Sequence, residues 1–146
     1  MLLLMNSGKV LIKKLNENAK IPVRAHAGDA GLDLYALESA VLKPSVPTRI
    51  QTGIALAIPN GHVGMICDRS SMGAKGIRIL GGIVDSGYRG EVQVLLINLS
   101  LQEYKIESGD KIAQLLILPV NLCDTAEVLD LDETSRSSGG FGSTGK

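Results

Sequence analysis

Short apolar runs alternate with polar positions along most of this chain and are interrupted about every ten residues by Gly, Pro or Asn. Alternation of period two marks strands with one buried face, and the punctuation marks the turns between them. Val10-Leu11-Ile12 predicts a first strand, and Thr48–Ile58 a longer one closed by Pro59-Asn60-Gly61, a turn that calls on Asn and Gly for positive φ. His62–Cys67 follows at once, which predicts a hairpin. In Glu91–Leu99 the polar Glu91 and Gln93 alternate with Val92 and Val94 before the run becomes wholly apolar. Tyr104–Glu107 and Ile112–Val120 complete the set, separated by Ser108-Gly109-Asp110. No stretch sustains an apolar stripe of period 3.6. One short helix is expected, Ser70 to Lys75, with Ser70 as N-cap and Gly76 as the stop. Seven or more short strands at this spacing predict an all-β jelly-roll-like barrel or sandwich.

Composition narrows the functional classes. A chain of 146 residues is one domain's worth, and 45% hydrophobic against 21% charged residues excludes a disordered polymer. Fifteen basic residues balance fifteen acidic ones, so no global field draws the chain to nucleic acid or an anionic membrane. Apolar runs such as Leu115–Leu118 are too short to cross a bilayer. Cys67 and Cys123 lie far apart in apolar surroundings, away from His26 and His62, which predicts buried thiols in a reducing compartment. Met1-Leu2-Leu3-Leu4-Met5 is too short for a signal peptide and lacks a basic start, so a cytoplasmic protein is expected. After Thr134 the chain turns Gly- and Ser-rich, which divides it into a core of residues 1–134 and a flexible arm of residues 135–146.

Five segments carry candidate chemistry. Ala27 to Ala36 is a Gly-bearing turn entering a strand that holds Asp33. Asp68 to Gly76 sets Arg69 before Ser70 and Ser71 at a helix start, combining a guanidinium fork, two hydroxyls and free N–H groups as a polyphosphate requires. Gly81 to Val92 places Asp85 three residues before Tyr88 in a Gly-rich hairpin, where an acid and a ring can orient a water and a planar ligand. Gly109 to Leu115 is a turn into a strand with Gln114 as the polar residue of an apolar run. Arg136 to Gly145 has a lid's composition, with glycines around Phe141 and an upstream Arg. Each segment taken singly also reads as ordinary structure: a turn, a helix cap, a hairpin loop, a buried amide, a loose terminus.

In this order the five segments closely resemble the homotrimeric dUTPases (deoxyuridine 5'-triphosphate nucleotidohydrolases), from about Ala27 to Gly145 and ending in Gly-Gly-Phe-Gly-Ser-Thr-Gly. The resemblance implies a distorted jelly-roll barrel of the β-clip type, and Mg²⁺-assisted hydrolysis of dUTP to dUMP and pyrophosphate by water attack on the α-phosphorus. That activity limits uracil in DNA and supplies dUMP for thymidylate synthesis. By the same resemblance Asp85 orients and deprotonates the water and Gln114 helps to hold it. Tyr88 lies beneath the deoxyribose, while Gly82, Ile83 and Val84, with Gln93 on the return strand, read the uracil edge. Arg69, Ser70 and Ser71 bind phosphates, and Asp33 meets the metal through water. Arg136, Phe141 and Gly142 belong to the closing arm, and each site of the trimer draws on several subunits. Neither nucleic acid nor membrane is implied.

Departures fall in the second segment. Asp68 stands where the family usually has Pro, Ser71 where it has Gly, and Met72-Gly73 where it has Leu-Ala; the His that often follows the Lys is missing. Two alternatives stand beside this reading. A dCTP deaminase of the related fold would want a Glu base and a Trp in the third segment, where this chain has Asp85 and Tyr88. A non-catalytic jelly-roll binding module would have no use for Asp85, Gln114 and the tail together.

Overall fold

A computed structural model describes residues 8–140. Ten strands form: β1 (Leu11–Lys14), β2 (Leu32–Tyr35), β3 (Ala40–Leu42), β4 (Thr48–Ala57), β5 (His62–Cys67), β6 (Ile77–Ile79), β7 (Ile83–Val84), β8 (Glu91–Asn98), β9 (Tyr104–Ile106) and β10 (Lys111–Pro119). A single turn of helix, α1 (Ser70–Gly73), separates β5 from β6. The strands assemble as two four-stranded sheets, ordered β1-β4-β8-β6 and β2-β10-β5-β7, with β3 and β9 as a separate pair. The long strands expected from alternation are all present. In β8 the alternation is explicit: Val92, Val94, Leu96 and Asn98 are buried while the residues between them are half-buried.

Every one of the seven strand pairs is antiparallel, and none joins strands adjacent in sequence. Two expectations are corrected here. β4 and β5 are not a hairpin: β4 pairs with β1 and β8, β5 with β10 and β7, so the turn at residues 59–61 carries the chain from one sheet to the other. Gly61 supplies the positive φ of +75° by itself, and Asn60 does not share it. The third segment is likewise a crossing rather than a hairpin, because β7 belongs to the sheet of β5 and β8 to that of β4. Crossing between sheets lets each strand bury one face against the opposite layer, as jelly rolls do.

Between the layers lies one apolar core, drawn from β4 (Ile50, Ile54, Leu56), β8 (Val92, Val94, Leu96) and β10 (Ile112, Ala113, Leu115), and closed by Leu34, Leu42, Ile77 and Ile106. Met72 of α1 packs into it. Asn98 is fully buried yet satisfied: its Nδ2 donates to Leu42 O at 2.9 Å and Gln102 O at 2.7 Å, and its Oδ1 accepts from the Ser100 N–H at 2.9 Å. The helix begins at Ser70, as expected, but runs only to Gly73 instead of Lys75. Arg69, not Ser70, is the N-cap, and its side chain makes no capping bond; Gly76, at φ +77°, ends the turns that follow.

No strand or helix follows Pro119 among the described residues, and residues 120–138 are all exposed. Leu122, Leu129 and Leu131 stand in water at 79%, 102% and 85% exposure. The two cysteines are free but not buried: Cys67 is half-buried and Cys123, out on this tail, is exposed. Apolar neighbours in sequence do not bury a thiol when the whole segment leaves the core. Among the described residues no helix is long and apolar enough to cross a membrane. The Met1–Met5 segment, Phe141 and Gly142 lie outside the described residues.

Candidate active site

Sheet pairing brings the first, second and fourth segments together. Asp33 on β2 and Gln114 on β10 are direct cross-strand partners, so their side chains share one face. Gln114 is also paired with Cys67 at the end of β5, from which the chain runs through Asp68 into Arg69 and α1. Asp33, Arg69, Ser70, Ser71 and Gln114, with Asp29 and Gly31, enclose a cleft of about 450 Å³.

Charge organises this cleft. Asp33 is buried at 8% exposure, and both of its oxygens face cations: Arg69 Nε lies 3.4 Å from Oδ1 and Lys111 Nζ lies 2.7 Å from Oδ2. Arg69 Nη1 also donates to the Lys111 carbonyl at 3.0 Å, which closes the triad on itself. Lys111 was missed in the sequence because strict alternation puts it on the face opposite Gln114. A bulge between Lys111 and Ala113 resets the count and lets it reach Asp33. Gln114 Nε2 donates to the Asp68 carbonyl at 2.8 Å, and its Oε1 lies against Gly31, where an added Cβ would overlap it. Ser70 and Ser71 are exposed at the first turn of α1, where N–H groups have no partner inside the helix. Asp68 also proves to be an anchor. Its Oδ1 accepts from the Ile79 N–H at 2.7 Å and its Oδ2 pairs with Arg78.

The third segment builds a second cleft of about 220 Å³, lined by Ile66, Gly82, Ile83, Val84, Asp85, Tyr88, Glu91, Val92 and Gln93. Backbone contacts define it. The Ile66 N–H donates to the Gly82 carbonyl at 2.7 Å, and Gly82, at φ +109°, leaves only 2.7 Å between an added Cβ and Ile66 O. No other residue fits there. The Tyr88 N–H donates to the Asp85 carbonyl at 3.0 Å in a tight turn, and the Tyr88 hydroxyl donates to Glu91 O at 3.0 Å. Gly90 makes room for that ring, since a Cβ would overlap the phenol. The Gln93 amide is held by Glu91 Oε2 at 3.3 Å. The Asp85 carboxylate is exposed and enters no hydrogen bond or ion pair among the described residues.

The two clefts have no lining residue in common. Asp85, Tyr88 and Gln93 are thus gathered in one place, and Asp33, Arg69, Ser70, Ser71 and Gln114 in another. Arg136 joins neither; it is exposed, and its Nε donates to Gly139 O at 3.1 Å.

The chain matches known proteins over most of its length. The profile of the dUTPase family matches residues 17–145. The deoxyuridine 5'-triphosphate nucleotidohydrolase of Clostridium novyi is 46% identical over 140 residues, covering 94% of this chain and 99% of that protein. Among solved structures, a variant of the Staphylococcus bacteriophage 80alpha dUTPase with dUpNHpp superposes with a TM-score of 0.91 at 30% identity, over 96% of this chain and 100% of that one. A dUTPase variant from phage phi11 of S. aureus, solved with a structural Mg(II) ion, superposes with a TM-score of 0.78 at 30% identity, over 84% of this chain and 97% of that one.

Proposed function

We propose a division of labour for the two clefts, given that the chain belongs to the dUTPase family and hydrolyses dUTP to dUMP and pyrophosphate. The larger cleft takes the triphosphate: Arg69, Ser70 and Ser71 donate to phosphate oxygens, and Asp33 holds Arg69 in place for the task. The smaller cleft takes the nucleoside. Main-chain groups of Gly82, Ile83 and Val84, with the Gln93 amide, meet the uracil edge, and the Tyr88 ring leaves no space for a 2'-hydroxyl. A donor placed at O4 and an acceptor at N3–H reject cytosine, whose polarity is reversed there, because unpaired buried polar groups are costly.

Hydrolysis at phosphorus requires charge neutralisation and a water in line more than covalent help. The free Asp85 carboxylate is suited to take the water's proton, and Gln114 to hold the water. Mg²⁺ fits the donor set. Among the described residues no three His, Cys, Asp or Glu side chains converge into a cage, and the cleft offers one buried carboxylate, Asp33, already paired with Arg69 and Lys111. Mg²⁺ is usually held by one or two carboxylates and substrate phosphates while keeping several waters, so Asp33 would meet it through water. Bound there, the metal would neutralise the triphosphate.

One observation carries the assembly we propose. On this reading Asp85 and Gln114 act on one water, yet they line different clefts, Gln114 on β10 and Asp85 after β7, with β5 between the two strands. We read the site as completed between chains, in a homotrimer whose arm, residues 135–146 with Arg136, Phe141 and Gly142, closes over a neighbour. Exposed Leu122, Leu129 and Leu131 on the segment leading to the arm support this, since such side chains favour cover by another subunit. The free thiols fit a cytoplasmic setting.

The test mixes two dead variants, Asp85→Asn and a truncation after Thr134, by unfolding and refolding them together. If base and arm come from different chains, about one half times one half, a quarter of the sites, recover activity under random assembly. No recovery in confirmed mixed oligomers refutes the shared site. Pyrophosphate and ammonia release, measured with dUTP, dCTP, dTTP and UTP, sets dUTP hydrolysis apart from deamination.

A further inference from the structure

We propose that Asp68 is a positioning residue for the reaction, fixing the orientation of the Gln114 amide. The inference rests on the reading that Gln114 holds the attacking water.

A carbonyl oxygen only accepts hydrogen bonds. The Asp68 main-chain oxygen, 2.8 Å from the Gln114 amide nitrogen, therefore fixes which end of that amide is NH₂. Oε1 is turned the other way, against Gly31 in the phosphate cleft, where the missing Cβ gives it room. Gln114 thus presents an acceptor to the cleft. A water that donates one hydrogen to Gln114 Oε1 and the other to the Asp85 carboxylate directs a lone pair away from both. That lone pair is the one needed for attack on phosphorus. With the amide reversed, Gln114 would donate to the water instead and occupy the lone pair.

The orientation is only as firm as the Asp68 carbonyl. This residue lies between the end of β5 and the start of α1, in neither element. Its own side chain moors it to β6: Oδ1 accepts from the Ile79 N–H at 2.7 Å, and Oδ2 pairs with Arg78. The Asp68 carboxylate acts at one remove, through the backbone that holds Gln114.

The test is a double-mutant cycle on the full-length enzyme, with kcat and KM for dUTP measured separately. Asp68→Ala should lower kcat about tenfold with KM within about twofold, since a loosened amide misplaces the water and not the nucleotide. Asp68→Asn keeps an oxygen for the Ile79 N–H and should restore kcat to within about threefold of wild type. In a Gln114→Ala background, Asp68→Ala should cost nothing further. Arg78→Ala loosens the same carboxylate from an exposed position, so it folds even if Asp68→Ala does not; its loss, about threefold in kcat, should also vanish beside Gln114→Ala. Wild-type kcat in both Asp68→Ala and Arg78→Ala overturns the proposal, as does a loss that adds fully to that of Gln114→Ala. An unchanged kcat in Gln114→Ala alone overturns the reading of Gln114 itself, and is distinguishable because that variant leaves Asp68 and Arg78 intact.

Discussion

The two clefts are built by opposite means. In the phosphate cleft, side chains hold one another: Asp33 is clamped between Arg69 and Lys111, and Gln114 is tied to the Asp68 backbone. In the nucleoside cleft the backbone does the holding, through Gly82 against Ile66 and Gly90 beside Tyr88, and of its two acids Glu91 is hydrogen-bonded while Asp85 is left unpaired. On the proposed division of labour, the difference follows from what each cleft meets. A triphosphate brings charge, and a prearranged set of partly buried donors avoids reorganisation when it arrives. A neutral base is read by shape and by amide edges, which glycine-shaped backbone provides most closely. A carboxylate that is to accept a proton must not already be engaged by a cation.

Exchanging one atom tests the sharpest side of this contrast. Asp85→Asn should lower kcat by about 10²–10⁴-fold from the lost base alone, with binding of dUpNHpp retained. Its melting temperature should stay at the wild-type value, because the carboxylate supports nothing in the fold. Single-turnover kinetics with calorimetry reads both, and turnover within tenfold of wild type removes Asp85 as the base.

Asp33→Ala is the counterpart in the clamped cleft. It strands two cations, Arg69 with 28% and Lys111 with 39% of the side chain exposed, and should cost about 2 kcal/mol of stability as well as activity. Urea unfolding without substrate measures this. Unchanged stability means the triad is not a structural clamp.

Tyr88→Ala should weaken the preference for dUTP over UTP by about tenfold while the fold persists, as a single lost steric contact in a pocket allows. Equal discrimination in wild type and variant takes the ring out of sugar selection. The smallest structural effect is expected at Arg136→Ala. Among the described residues its Nε meets only Gly139 O, so stability should change by less than about 0.5 kcal/mol while turnover falls. A large fall in melting temperature would mean the arm is docked in the resting enzyme.

The strands of this fold are legible in the sequence and their pairing is not. Val92 and Val94 alternate with Glu91 and Gln93 in the sequence as they do across the β8 face, because alternation is a local consequence of the pleat. Which strand lies beside β8 depends on burial over the whole chain, and the neat turn at residues 59–61 points to a partner that β4 does not have. The grouping of Asp33, Arg69 and Gln114 follows from that non-local pairing. Lys111 is hidden for a different reason: a bulge shifts its face, and nothing in Lys111-Ile112-Ala113 announces one. Asp68 stands out in the sequence as a departure from the resemblance, but its partners Arg78 and Ile79 come into reach only once β6 has folded back. Cys123 shows the limit of reading burial from neighbours, since its apolar surroundings belong to a segment that leaves the core.

The absence of any pairing between consecutive strands has a kinetic consequence. Among the described residues no β-hairpin is available as a cheap local nucleus, and even the strand partners closest in sequence, such as Ile79 and Leu96, require a long loop to close before they meet. Such a chain belongs among slow folders, with formation on the millisecond-to-second scale or beyond and a period in which the edge of β4 that β8 comes to cover lies open. During synthesis β4 and β5 emerge well before β8 and β10, their main partners, have left the ribosome. A nascent chain stalled at that stage would be a substrate for chaperones, and substitutions that slow closure would lower yield without touching either cleft.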